Sequence, residues 1–449
     1  MTKDIDQEIN QLSELVSRAL KKAKDKGADQ VYLSVGRAST SSISCRKQNK
    51  EKIKYSNSMG ISIVLYKDQA MGSSQTNELS DGAIEKCIDA ALSIAKYTDP
   101  DEAEGLPEYD LLAKESKDFD VYHSQQMDMD KAFEICKSLE QQTLVADRDI
   151  DNFQSSSFGW GEKVRVVGNS HDIIFSKKLT TYTKSVHLIM KGNDDKSKHG
   201  YSSTYEADLK DLLEDDFIIN EAIEEAKTAL NPRKVKTGTY PVIFKRGESD
   251  FLFSSFYAAI TGGSQYYKTG YLQDCKGNEV FPSWLSIDED PFVMKDLGSS
   301  FMDGDMVKRD KFCIVKDGVV QDYLLSNYYA KKLNLITNGH SGGVTNTYVK
   351  SSIDNVCSYT DLVKKMDKGL IITSTIGQGF NHQTGDYSSG AEGFWVENGE
   401  IQYPVSGFTI AGNILDMYRN IVAIGSDIDA RTDVNVGSVL LSSMKIAGE

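Results

Sequence analysis

Histidine, the commonest metal ligand and proton shuttle, occurs six times, at positions 123, 171, 187, 199, 340 and 382. A helical zinc site needs two imidazoles one turn apart on the same face. The nearest pair, His187 and His199, is twelve positions apart, so no local metal motif follows. Asp303 and Asp305 in MDGDMVKRD begin like a calcium loop. The third acid and the glycine at its required offset are missing, and a solvated turn is predicted instead.

Nucleophilic and nucleotide chemistry are the next readings. GHSGG (339–343) matches G-x-S-x-G around Ser341, with His340 beside it. A nucleophile elbow needs a helix after the serine, but the following VTNTYV reads as a strand. A base adjacent in sequence also lacks the reach of a triad histidine. The pentapeptide therefore reads as a glycine-rich loop with close backbone packing. GQGFNH (377–382) opens like a dinucleotide fingerprint, lacks its third glycine, and is read as a tight turn. Asp386, Glu392 and Glu397 lie in or beside the glycine-rich GDYSSGAEGFWVENG, where acidic surface loops are the default.

The bulk properties narrow the function classes. A formal charge of -15 opposes non-specific binding to nucleic acid or anionic lipid. The basic runs RKQNKEKIK (46–54) and RKVK (233–236) read as solvated faces. Six cysteines are never closer than 38 positions, which predicts reduced, mostly buried thiols in a cytosolic protein. The acidic, amphipathic MTKDIDQEINQLSELV does not read as a signal peptide, and no apolar run approaches a membrane span.

At 449 residues, two domains or more are expected. The fold class is α/β (α+β). A mixed helix and sheet domain over 1–232 precedes a strand-rich domain over 238–449, with RKVKTG between them. Ile5, Ile9, Leu12, Val16, Ala19 and Ala23 predict a helix ending at Gly27. ISIVLYKDQAMGSS reads as two strands about a turn at Lys67–Asp68. Ser80 is placed to cap a helix to about Tyr97, and TDPDEAEGLPEYD reads as a solvated acidic loop. A second round opens near Asp128: a helix, strands near 153–158, 163–167 and 180–190, then an acidic helix over about 206–230. Helix, sheet, helix, twice over, hints at a duplication. Beyond it come the strand TYPVIFK and a helix over 249–259 ending at Gly262–Gly263. Asp317–Gly318 and Asn398–Gly399 supply the positive φ angles that two hairpins need.

Strings spanning the chain carry a resemblance. They include GISIVLYKDQAMGSS, ALSIAKYTDPDEAEGLPEYDLL, GGSQYYKTGYLQDCKGNEVFPSWLSIDEDPF, GHSGGVTNTYV, the long run from GQGFNHQTGDYSSGAEGFWVENG to IVAIGSDI, and the terminal GSVLL and MKIAG. They resemble the PmbA (TldE) branch of the TldD/TldE family, also labelled modulator of DNA gyrase. The resemblance implies a TldD/PmbA-like fold and a two-subunit cytosolic peptidase. Its TldD-type subunit holds zinc through an HExxxH helix and a later cysteine, and the complex acts on unfolded peptides and antitoxins. The matching helix lies in DFLFSSFYAAITGGS, where Ser254, Ser255 and Ala259 stand at the His, Glu and His positions. No cysteine follows Cys357. The implied role is a non-catalytic partner subunit with no cofactor of its own and zinc in the TldD-type partner. The alternatives are a homodimeric peptide- or regulator-binding module without hydrolysis, and a serine hydrolase built on Ser341. Polar side chains set among glycines (His340, Thr345, Asn346, His382 and Asp386) are the candidates for lining a shared cavity.

Overall fold

The computed structural model describes residues 5–192, 197–353, 355–377 and 379–449. Helix α1 (Ile5–Asp25) buries Leu12, Leu15, Val16, Ala19, Leu20 and Ala23 on one face, and Gly27 follows at φ 97°. Three antiparallel strands come next: β1 (Gln30–Arg46), β2 (Asn49–Lys67) and β3 (Ala70–Thr76). Helix α2 (Asp81–Tyr97) is capped by Ser80, whose Oγ accepts the Ala83 N–H. The layout then repeats as α3 (Met129–Ala146), β4 (Ile150–Asn169), β5 (Ile173–Lys191), β6 (Ser197–Glu206) and α4 (Asp215–Thr228).

The six strands form one sheet in the order β3-β2-β1-β4-β5-β6. The two rounds therefore meet back to back at the antiparallel β1–β4 pair. A shared local solution marks both rounds. A Cβ on Gly72 of β3 would lie 2.0 Å from the Ala91 carbonyl oxygen of α2, and one on Gly200 of β6 would lie 1.9 Å from that of Ala222 in α4. Only glycine lets helix and strand backbones approach so closely.

The remaining chain starts with β7 (Gly238–Phe244), α5 (Asp250–Ala259) and α6 (Gly262–Tyr267). A mixed sheet in the order β10-β9-β8-β11-β17 contains β8 (Leu285–Asp290), β9 (Phe312–Lys316), β10 (Val319–Val320), β11 (Asn346–Ser351) and β17 (Val434–Asn435). Helix α7 (Asn327–Lys332) lies between β10 and β11 in the chain. The third sheet is built from β12 (Val356–Cys357), β13 (Gly369–Ile376), β14 (Asp386–Glu397), β15 (Glu400–Asn413), β16 (Ile421–Gly425) and β18 (Val439–Ala447), together with β7. Helix α8 (Tyr359–Met366) precedes β13, and α9 (Ile414–Arg419) links β15 to β16. Because β7 pairs with both β13 and β18, strands β7, β13, β14, β15 and β18 close into a barrel, which removes their edges. The largest apolar core joins this barrel to α5, α9 and the mixed sheet.

Both predicted hairpins form, with Asp317 and Gly318 at φ 49° and 79°, and Asn398 and Gly399 at 56° and 69°. Several expectations change. The β2–β3 turn sits at Asp68–Gln69, one residue later than expected. Residues 153–167 are one continuous strand, because Gly159 and Gly161 lie between β1 and β5 where a Cβ would strike Thr183 Oγ1 or the Ser39 carbonyl. The acidic helix starts at Asp215, since β6 extends to Glu206. Gly262–Gly263 opens α6, which Thr261 caps at the Ser264 N–H. The acidic loop after α2 is pinned to the rest of the molecule. Asp101 pairs with Lys332 and accepts from the Tyr328 hydroxyl, while Ala113 N–H donates to the Met306 carbonyl. Among the described residues, no helix is long and apolar enough to cross a membrane.

Candidate functional site

Helix α5 carries the positions that the sequence singled out for zinc. It forms because Leu252, Phe253, Phe256 and Tyr257 recur at helical spacing and bury one face. Ser254 faces solvent and its hydroxyl donates back to the Asp250 carbonyl. Ser255 is buried: its hydroxyl donates to the Leu252 carbonyl at 2.9 Å and lies 3.0 Å from the Tyr418 hydroxyl. Ala259 is buried as well.

Tyr271 ties this helix to the turn that holds His382. Its hydroxyl donates to the Ser255 carbonyl and lies 2.9 Å from that of Tyr418, and its N–H donates to the His382 carbonyl. Burial pushes the Tyr271 phenol up to about 12 and that of Tyr418 well above its ordinary value. Both therefore stay neutral and act as hydrogen-bonding groups. His382 stacks edge-on against Phe380, which in turn packs on Phe251 of α5. Asp386 accepts from Thr384 and Asn413 on the same exposed turn, and those bonds hold its carboxyl below the usual range.

This chemistry does not fit zinc. Structural and catalytic zinc sites use thiolate, imidazole and carboxylate donors, whereas positions 254, 255 and 259 offer two hydroxyls and a methyl. The one buried hydroxyl is already committed to Leu252 and Tyr418. Among the described residues no group of three His, Cys, Asp or Glu side chains converges as a metal site. His187 and His199, separated in sequence, do meet across β5 and β6, with ring nitrogens 2.9 Å apart.

His340, Thr345 and Asn346 belong to a second place, a buried ionic hub. Glu289, an inward position of β8, is 2% exposed and accepts from His340 Nε2 at 2.7 Å, Arg309 Nη1 at 3.1 Å, and both the backbone and hydroxyl of Thr345 at 2.7 Å. Burial alone would push its carboxyl up, but these donors, His340 foremost, bring it below the usual range. His340 Nδ1 faces Asn338 Oδ1 at 2.8 Å, so both ring nitrogens meet oxygen acceptors and neither is free to take a proton from Ser341. Asn346 donates to Ser299 Oγ and to the Asp290 carbonyl.

The five candidate cavity residues thus divide between two neighbourhoods. His340 and Asn346 are buried in the hub, Thr345 borders a cleft beside it, and His382 and Asp386 lie on the exposed turn near α5. The MDGDMVKRD turn is only partly solvated: Gly304, Lys308 and Asp310 are exposed, but Asp303, Met306, Val307 and Arg309 are buried. Asp303 is 6% exposed because its carboxylate accepts the N–H groups of Asp305, Val307 and Ser341. In the GQGFNH turn, residue 378 lies outside the described residues. Sequence reasoning missed Glu289, Arg309, Tyr271 and Tyr418. For Glu289 a signal existed: LSIDED alternates, and a carboxylate occupies the third inward position after Leu285 and Ile287.

Comparison with known proteins matches three stretches of the chain. Residues 237–448 match the PmbA/TldA metallopeptidase C-terminal domain, residues 31–95 match its domain 1, and residues 122–230 match its central domain. The chain is similar to the metalloprotease PmbA homolog of Haemophilus influenzae, at 39% identity over 98% of this chain and 96% of that protein. It is similar to metalloprotease PmbA of Escherichia coli O157:H7 at 38% identity with the same coverage. A solved structure from Bacteroides thetaiotaomicron, described as a candidate modulator of DNA gyrase, superposes with a TM-score of 0.90 over 100% of both chains at 24% identity. TldE of Thermococcus kodakarensis superposes with a TM-score of 0.80 over 97% of this chain and 100% of that one, at 18% identity. At these identities the structural likeness establishes the fold.

Proposed function

The chain belongs to the PmbA/TldD metallopeptidase family, and from that premise we propose that it is the non-catalytic partner of a zinc-bearing TldD-type subunit acting on unfolded peptides. The observation that carries this reading is helix α5. Its three positions at the family's ligand places hold Ser254, Ser255 and Ala259, and Ser255 is locked into a hydroxyl cluster with Tyr418 and Tyr271. A subunit that had merely lost one ligand would retain the others as unsatisfied buried donors. Here the replacement is complete and its buried polar atoms are satisfied.

Such a subunit contributes by shape. A peptidase must shelter its bond-breaking site from folded proteins, and a partner that closes the cavity supplies that exclusion. A surface suited to contact exists on β2. Among the described residues, that strand pairs from Asn49 to Gly60 with β1 alone, and Ile53, Tyr55 and Met59 are exposed along one side of it. Unpaired strand edges accept another chain by strand addition. The lysines at 50, 52 and 54 disfavour pairing of this edge with its own copy, which supports a different chain as partner over a homodimeric binding module.

The test is cleavage of an unfolded peptide by this chain alone, by its TldD-type partner alone and by the mixture. The proposal predicts no cleavage by this chain and a clear rise on mixing. Unchanged cleavage on mixing would overturn it.

A further inference from the structure

A cleft of about 750 Å³ opens between the sheet of the first part and the loop preceding β9. One wall is apolar, paved by Phe119, Phe175, Phe301, Met302 and Val344. The opposite feature is a surplus of cations. Arg165 of β4 and Lys177 of β5 are direct cross-strand partners, so both project from the same face of the sheet into this cleft. Like charges set opposite each other destabilise a sheet unless something lies between them.

Among the described residues no carboxylate is paired with either cation. Arg165 donates to Ser34 Oγ and the Tyr32 hydroxyl, and Lys177 donates to the Ser299 carbonyl. Asp296 acts on Lys177 only at longer range, and burial holds the ammonium below its ordinary value. Lys117, Lys178 and Arg309 also border the cleft; Arg309 pairs with Glu289 through Nη1 and keeps its Nε buried and unpartnered. The cleft's own carboxylates are engaged. Asp6 pairs with Lys178, Asp118 accepts the Asp120 N–H, and Asp303 accepts three backbone N–H groups.

We infer that this cleft binds the C-terminal end of an extended peptide, with the terminal carboxylate between Arg165 and Lys177 and an apolar last side chain against Phe175, Phe301 and Val344. A single carboxylate on an apolar body matches both features, since the Lys177 ammonium is partly buried without a carboxylate partner among the described residues, Arg165 stands beside it, and the facing wall is apolar. The assignment rests on the peptide-handling reading above and deepens it: this subunit would hold the free end of the chain being processed.

The test is titration of the full-length chain with the acetylated tetrapeptide Ac-Gly-Ala-Leu-Phe as free acid and as C-terminal amide. The free acid is expected to bind, and amidation to weaken binding about tenfold or more, as loss of a charge-assisted contact does. Lys177→Met and Arg165→Gln should each weaken the free acid by a similar factor while the thermal midpoint stays at or above that of the unmodified chain, because each relieves the like-charge opposition. Equal binding of acid and amide, full binding by Lys177→Met, or no binding of either peptide would overturn the assignment. So would octanoate binding more tightly than the peptide, which would make the occupant a fatty acid. The cleavage-on-mixing experiment is independent of all four outcomes, so failure here leaves the partner reading to be judged on its own.

Discussion

The hub around Glu289 and the surface of α5 hold opposite halves of what an active site needs. The hub has the reactive side chains, with an imidazole and a guanidinium both hydrogen-bonded to one carboxylate. It is buried, and apart from the Arg309 Nε its charged groups are spent on each other. The α5 surface, where the sequence resemblance places the zinc helix, offers hydroxyls and a methyl. Charge in this molecule builds the fold, and the place expected for chemistry has been rebuilt as neutral packing. That difference is what the proposed partner role leads one to expect.

The comparison breaks first at Glu289. Glu289→Gln removes the charge that Arg309 and His340 share and leaves a guanidinium buried without its anion. A loss of about 3–5 kcal/mol is expected, read as a lowered denaturant midpoint. A loss below about 1 kcal/mol would show that the hub does not hold the domain together.

Asp303 tests the same region through pH. Burial raises its carboxyl from 3.8 to about 6, so the folded state binds its proton more tightly than the unfolded state does. A buried acid shifted upward costs nothing below pH 3.8, and its penalty grows until it is complete above about 6. Asp303→Asn should therefore gain on the unmodified chain as pH rises from 4 to 8, by up to roughly 3 kcal/mol. A difference in stability that stays constant across that range would contradict the shift.

On the α5 side the effects are smaller. Ser255→Ala removes one hydroxyl, and the Tyr271–Tyr418 bond remains, so about 1 kcal/mol of stability is expected to go. Peptide cleavage by the mixture with the TldD-type partner should be unchanged. Ser341→Ala should alter neither quantity, because His340 is committed to Glu289 and Asn338 and no helix follows the serine. Lost cleavage in this variant would revive the serine-hydrolase alternative.

Much of this arrangement could be read in advance, and the parts that could not share a cause. Asp317–Gly318 and Asn398–Gly399 were legible because a tight hairpin needs positive φ at both residues, and Ser80 because a cap hydroxyl satisfies an orphan N–H. The helix over 249–259 was legible through its helical apolar spacing. The full length of strands β1 and β4 was not. ASTSSIS and QSSSFGWGEK lack apolar alternation, and their strand state is imposed by neighbours on both sides, as the fit of Gly159 between Ser42 and Thr183 shows. Asp303 and Glu289 were misread or missed because burial of a carboxylate depends on donors far away in sequence, Ser341 for one and His340 for the other. Such contacts leave no local spacing to detect.

The most direct test is metal content, measured separately for each subunit of the purified complex with the TldD-type partner. The account predicts zinc with the partner and none held stoichiometrically by this chain. One zinc per copy of this chain, retained when it is purified alone, would contradict it.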